Sequence, residues 1–164
     1  RSLFRRVRQY GLGITVHTGE SGPVDEVARV VELLEPDRIG HGVKAAYDPR
    51  AMGMIRERGI VLEICPTSNL NTQVVSGWDE FRWIFDTFRR NEVRFTISTD
   101  GPEMLKTYIR DELATLGRLG ILSVEEQERA AATSLAASFV PNVSELPFTQ
   151  TTPAPRLVVE REEG

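Results

Sequence analysis

Four side chains in this sequence are of types that bind metals or move protons, and they fall where such chemistry is usually built. His17, His41 and Asp100 each lie at the end of a stretch that reads as a parallel strand, and Glu20 follows His17 by three positions. The carboxyl edge of a parallel sheet is where α/β enzymes keep their sites. Each residue has an ordinary explanation when taken alone. A histidine is commonly hydrogen-bonded inside a core, Glu20 reads as a solvated loop carboxylate, and Asp100 in Ser98-Thr99-Asp100-Gly101-Pro102 suits a turn before a helix. The joint pattern is more pointed. Imidazole and carboxylate groups delivered from separate strands to one mouth are what a catalytic zinc or iron requires, and an unligated glutamate beside them can transfer protons.

The elements that must position these groups are legible from periodicity. Residues 13–17, with β-branched Ile14, Thr15 and Val16, predict a first strand running into a glycine-containing turn. Pro23 then opens a helical pattern in which Val24, Val27, Ala28 and Val31 share one face, ending near Pro36. Residues 38–42 predict a second strand. Asp48 and Pro49 supply an N-cap and a first-turn proline for a helix through Arg58 that Gly59 terminates. The third strand, 60–65, stops at Pro66. A loop leads to a helix over 79–90 whose Phe81, Ile84, Phe85 and Phe88 form an apolar stripe. Residues 94–99 predict the fourth strand. After Pro102 the pattern predicts a long helix to Gly120, then another opened by the capping box of Ser123 and Glu126. Strands alternating with helices across short links argue for parallel pairing and an α/β class. From about Pro141 the pattern is lost, and 141–164 reads as a disordered tail, leaving 1–140 as the folded unit.

Composition narrows the functional classes. The chain has 164 residues, 40% of them hydrophobic, enough for one domain with a core. With 20 basic and 24 acidic residues its net charge is −4, so no basic surplus points to nucleic acid or an anionic membrane surface. No apolar run approaches the roughly 18 residues of a membrane-spanning helix. The single cysteine, Cys65, excludes an internal disulfide, so a cytoplasmic setting is expected. Cys65 itself, before Pro66, reads as a small buried residue at a strand end. No secretory signal is recognisable, although the chain opens on Arg1, as a fragment or processed product would.

The segments His17-Thr18-Gly19-Glu20, Arg38-Ile39-Gly40-His41-Gly42, Cys65-Pro66-Thr67-Ser68-Asn69 and Ser98-Thr99-Asp100-Gly101-Pro102 resemble, in order and spacing, the C-terminal half of the adenosine deaminase family of metal-dependent amidohydrolases. The resemblance spans most of the chain before the tail and implies four strands of a (β/α)8 TIM barrel with an extra C-terminal helix. It implies a zinc-dependent aminohydrolase that converts a 6-aminopurine nucleoside to its 6-oxo product and ammonia. On that footing His17 and Asp100 would be zinc ligands, Glu20 would protonate the ring nitrogen beside the attacked carbon, and His41 would orient and stabilise the attacking hydroxide.

The sequence also departs from the family. Two further zinc ligands come from a His-x-His pair on the family's first strand, whereas this chain has only two histidines. A complete barrel takes about 250 residues and eight strands. A missing N-terminal half, or self-association, would therefore be needed to cover exposed strand edges. Gly101 stands where the family places a second, substrate-binding aspartate, which leaves the substrate-binding residues unassigned and points to a different or modified aminopurine. Thr18 stands where alanine is commoner, a change expected only to adjust packing. Two other readings compete: a non-catalytic half-barrel that self-associates as a binding or scaffold module, and an amidohydrolase acting on a ring amide or another amine.

Overall fold

Residues 2–140 are described by a computed structural model; the segment 141–164, expected to be a tail, lies outside them. Four strands, β1 (Thr15–Thr18), β2 (Arg38–His41), β3 (Val61–Ile64) and β4 (Arg94–Ile97), form one sheet in sequence order. All three pairings are parallel, with Thr18 beside His41, Ile39 beside Leu62 and Ile64 beside Ile97. Sequential parallel order with a helical crossover after each strand is the α/β arrangement of half an eight-stranded barrel.

The helices follow the same rhythm: α1 (Ser2–Gln9), α2 (Glu26–Leu34), α3 (Pro49–Arg58), α4 (Pro66–Asn71), α5 (Trp78–Arg90), α6 (Pro102–Leu105), α7 (Ile109–Arg118) and α8 (Val124–Ala136). A 3-10 turn, Val43–Tyr47, follows β2. The signals read at the ends of α3 and α8 operate as expected. Asp48 accepts a hydrogen bond from the Arg50 amide at 2.9 Å, Gly59 takes a left-handed φ of 64°, and the Ser123 hydroxyl and Glu126 carboxylate exchange the two bonds of a capping box.

The core lies between the outer face of the sheet and the helices. Ile39, Leu62 and Ile64 project outward onto Val27, Val31, Met52, Ile55 and the α5 phenylalanines, all fully buried. Burying an aliphatic or phenyl side chain of this kind contributes about 1.5–3 kcal/mol. Phe85 anchors the aromatic group, 5.0 Å from Phe95 and 6.2 Å from Phe88, ring centre to ring centre. The inner face is polar by contrast. Arg38 pairs with Glu63 at 3.2 Å, and Thr15 donates to Glu63 at 3.1 Å.

Several expected boundaries move. Strand β1 runs one residue past His17, and α2 begins at Glu26 rather than at Pro23, leaving Val24 exposed. The long helix expected after Pro102 is interrupted: Lys106 adopts φ 51°, which ends α6 and lets α7 start afresh at Ile109. The stretch read as a loop after Pro66 contains α4, whose proline occupies the first turn, where a missing N–H costs nothing. Six residues of turn-forming composition carry too little periodicity to announce a helix.

Candidate active site

The strand ends deliver their polar residues to one cleft of about 480 Å³, lined by His17, His41, Glu63, Cys65, Ser98 and Asp100 among others. A second cavity of about 530 Å³ opens at the opposite end of the strands, where Arg8, Arg38, Arg58 and Arg94 are each tied to a carboxylate or a main-chain carbonyl. The groups with acid–base or ligating capacity in the first cleft make it the candidate site.

Two glycines set how the chain turns after β1 and β2. Gly19 and Gly42 both have left-handed φ, 72° and 73°, and pack against each other: a β-carbon on Gly19 would stand 2.8 Å from the Gly42 Cα and 2.7 Å from a Val27 methyl. The Gly42 amide donates to the Thr18 carbonyl at 2.9 Å, and the Lys44 amide to the Gly19 carbonyl at 3.0 Å. The loops after β1 and β2 are thereby locked together, and Glu20 on the first reaches His41 at the end of β2. Thr18 does more than fill space. Its hydroxyl donates to the Glu26 carboxylate at 2.8 Å, tying the end of β1 to the first turn of α2.

Glu20 is the centre of the arrangement. Its Oε2 lies 3.2 Å from Nε2 of His17 and 3.6 Å from Nε2 of His41. Its Oε1 accepts from the Asn69 side chain at 3.2 Å and from the Thr72 hydroxyl at 3.3 Å. Glu20 and His41 are buried, whereas the His17 ring is 68% exposed to the cleft. The two imidazoles meet edge to face with centroids 4.6 Å apart. His41 holds φ 64° and Asp100 φ 65°, a region that costs a residue with a β-carbon about 1–2 kcal/mol. Such strain persists only where surrounding contacts over-determine it.

Asp100 does not cap the following helix. The residue preceding α6 is Gly101, and Asp100 Oδ2 instead accepts a hydrogen bond from the Ser68 hydroxyl at 2.7 Å. Cys65 is buried as expected. Removal from water, and then the nearby charge of Asp100, Glu112, Glu63 and Glu20, push its thiol up to about 12, so it stays protonated and unreactive at neutral pH. Gly101 is glycine for no steric reason: a β-carbon there would touch only Met104, at 3.4 Å.

His17, Glu20 and His41 present ligand atoms within 4.8 Å of one another, close enough to share a cation. Asp100 is not in that trio, although it lines the same cleft. The two possible uses of Glu20 exclude each other, because a carboxylate bound to a metal cannot carry a proton to a substrate. Its bonds to Asn69 and Thr72, together with its burial, suit a carboxylate held for proton transfer. His17, exposed to the cleft, and Asp100, oriented by Ser68, suit ligation.

A sequence profile of adenosine deaminase matches residues 1–149. The chain belongs to the adenosine deaminase family. Within it, the chain is 33% identical over 137 residues to adenosine deaminase of Clostridium botulinum strain 657, an alignment covering 84% of this chain and 41% of that protein. The chain thus spans about two fifths of the length of the curated relatives it matches. Solved structures give the same picture. The apo N6-methyl-AMP deaminase of Arabidopsis thaliana superposes with a TM-score of 0.71 at 25% identity, over 84% of this chain and 40% of that one. An amidohydrolase from Burkhoderia ambifaria, solved with bound Zn, shares the fold with a TM-score of 0.69 at 21% identity, over 88% and 40%.

Of the residues gathered in this candidate site, the sequence points to His17, Glu20, His41 and Asp100 and gives no separate sign of Ser68, Asn69 and Thr72. The first two sat inside the Cys65-Pro66-Thr67-Ser68-Asn69 segment, already noted as a motif. The missing signal was that α4 turns consecutive residues toward different partners, Ser68 to Asp100 and Asn69 to Glu20 and His41.

Proposed function

We propose that this chain carries the proton-transfer groups and two of the metal ligands of a zinc-dependent hydrolase that removes the exocyclic amine of a 6-aminopurine nucleoside. The observation that carries this reading is Glu20: a buried carboxylate, held on one oxygen by Asn69 and Thr72, whose other oxygen faces Nε2 of two histidines at the mouth of a cleft. The family's adenosine-directed members and the neighbouring N6-methyl-AMP deaminase support an aminopurine as substrate.

The donor set fits a metal in kind. His17 offers an imidazole in the cleft, and Asp100 has Oδ2 engaged by Ser68 while Oδ1 accepts no hydrogen bond among the described residues. Two further ligands, and the remaining strands of the barrel, would come from outside these residues. When bound, zinc would supply Lewis acidity and lower the pKa of water at the site to about 7. The chain's own residues do the rest. Glu20, carrying a proton, delivers it to the purine ring nitrogen beside C6, which makes that carbon electrophilic. His41 Nε2 hydrogen-bonds the attacking water oxygen, whose two protons end one on the departing amine, which leaves as ammonia, and one on Glu20, restoring the acid. Burial of Glu20 and His41 keeps bulk water from competing for these contacts.

Release of ammonia from adenosine and related 6-aminopurines, and of methylamine from N6-methyl-AMP, by the zinc-loaded protein tests the proposal. Glu20→Gln, which keeps the shape and removes the transferable proton, is expected to lower turnover at least 100-fold. Undiminished turnover in that variant would sink the assignment.

A further inference from the structure

We propose that Asn69 is the positioning residue that fixes both acid–base groups of the site, directing one amide hydrogen to Glu20 and the other to Nδ1 of His41. Its importance for turnover rests on the deaminase reading above, but the hydrogen-bond arrangement stands without it.

Asn69 is fully buried on α4. Its Nδ2 lies 3.2 Å from Glu20 Oε1 and 3.0 Å from His41 Nδ1. A side-chain amide nitrogen carries two hydrogens, so one group serves both contacts. The reverse orientation of the amide would set its carbonyl oxygen against a carboxylate oxygen, two acceptors facing each other. With nitrogen in that place, Nδ1 of His41 is the acceptor and the neutral ring carries its hydrogen on Nε2. Nε2 is the atom that lies 3.6 Å from Glu20 Oε2. Asn69 therefore selects which nitrogen of His41 points a hydrogen toward the acid and the cleft.

Two further observations make this a device rather than a chance contact. The main chain of Asn69 is pinned on both sides, its amide donating to the Cys65 carbonyl at 2.9 Å and its carbonyl accepting from the Val74 and Val75 amides, each at 3.1 Å. The side chain consequently starts from a fixed base. Its Oδ1 is also one of only two buried side-chain polar atoms without a partner among the described residues. The amide is thus held in its orientation by its nitrogen end, through Glu20 and His41.

The test is the tautomer of His41, read by long-range ¹H–¹⁵N correlation spectra of the 164-residue chain without metal or purine. A buffer of about pH 8.5, roughly two units above the ordinary imidazole value, keeps free imidazole neutral. The chain has two histidines, so His17→Gln identifies the signals of His41. The expected result is a hydrogen on Nε2 and none on Nδ1. Asn69→Asp, which replaces the donor with an acceptor of equal size, is expected to move the hydrogen to Nδ1. A protonated Nδ1 in the wild type overturns the proposal, as does an unchanged tautomer in Asn69→Asp with a native-like backbone spectrum. If that variant unfolds, the wild-type spectrum and the exchange rates of the two Asn69 amide hydrogens decide, slow exchange of both supporting the proposal and fast exchange of either overturning it. No substrate is involved, so loss of the deaminase reading through Glu20→Gln and loss of this proposal are separate outcomes.

Discussion

The Ser68 hydroxyl donates to Asp100 Oδ2 at 2.7 Å, joining α4 to the loop between β4 and α6. Ser68 is buried and Asp100 is in a left-handed conformation, so the bond fixes the carboxylate against a backbone that would otherwise relax. Partners of this kind around metal ligands typically alter affinity by about 10- to 100-fold when removed. Zinc affinity in Ser68→Ala, read by competition with a chromogenic chelator in the protein with its ligand set complete, is expected to fall by that factor. An unchanged affinity would show that Asp100 does not ligate or needs no such support.

Gly19 and Gly42 touch across the loops after the first two strands, and neither has room for a β-carbon. Alanine at either site combines a left-handed φ, at about 1–2 kcal/mol, with a contact under 3 Å to a neighbour, at about 1–3 kcal/mol. Gly19→Ala and Gly42→Ala are each expected to lower stability by about 2–4 kcal/mol in urea unfolding. Their double variant is expected to depart from the sum, because the two residues are neighbours.

Glu112 on α7 is buried and accepts bonds from the Thr67 amide and the Thr107 hydroxyl, both at a long 3.3 Å. Burial raises its pKa above the usual carboxylate range, these hydrogen bonds only partly offsetting the effect. The folded state therefore keeps this proton to a higher pH than the unfolded chain does. That contribution to stability is fully present on the acid side of the ordinary glutamate value and is lost as pH rises through the raised one. Urea midpoints from about pH 4 to pH 8 are expected to fall less steeply with pH in Glu112→Gln than in the wild type. Parallel curves would mean that Glu112 titrates alike in both states.

On the deaminase reading proposed above, Gly101 leaves the purine site without a second carboxylate beside Asp100. The backbone there has φ −115°, which any residue adopts, and a side chain would meet only Met104. Gly101→Asp is expected to fold normally and, in the zinc-loaded protein, to raise kcat/KM for adenosine relative to other aminopurines by about 10- to 100-fold, the value of one hydrogen bond to a charged group. A shift in the opposite direction would place the substrate's recognised edge elsewhere in the cleft.

Much of this architecture is legible in the residues themselves. Runs of β-branched and apolar residues gave the four strands to within two residues at each end, because the outer face of each strand must be covered and the pattern records it. The stripe of Phe81, Ile84, Phe85 and Phe88 marked α5 for the same reason. The capping residues Asp48, Gly59, Ser123 and Glu126 act within a few positions of themselves, so sequence alone suffices to read them. His17, His41 and Asp100 were visible as polar residues at the ends of expected strands, with Glu20 three positions beyond His17.

What only the tertiary structure decided is how those groups meet. The left-handed Lys106 that ends α6 and the six-residue helix α4 are seen only in the folded chain. The contact of Gly19 with Gly42 joins positions 23 residues apart in the sequence. Asn69 reaches Glu20 and His41 across separations of 49 and 28 residues, and Ser68 reaches Asp100 across 32. Hydrogen bonds of that span have no signature in local composition, because a buried serine or asparagine reads as an ordinary turn former until the chain has brought its partner to it.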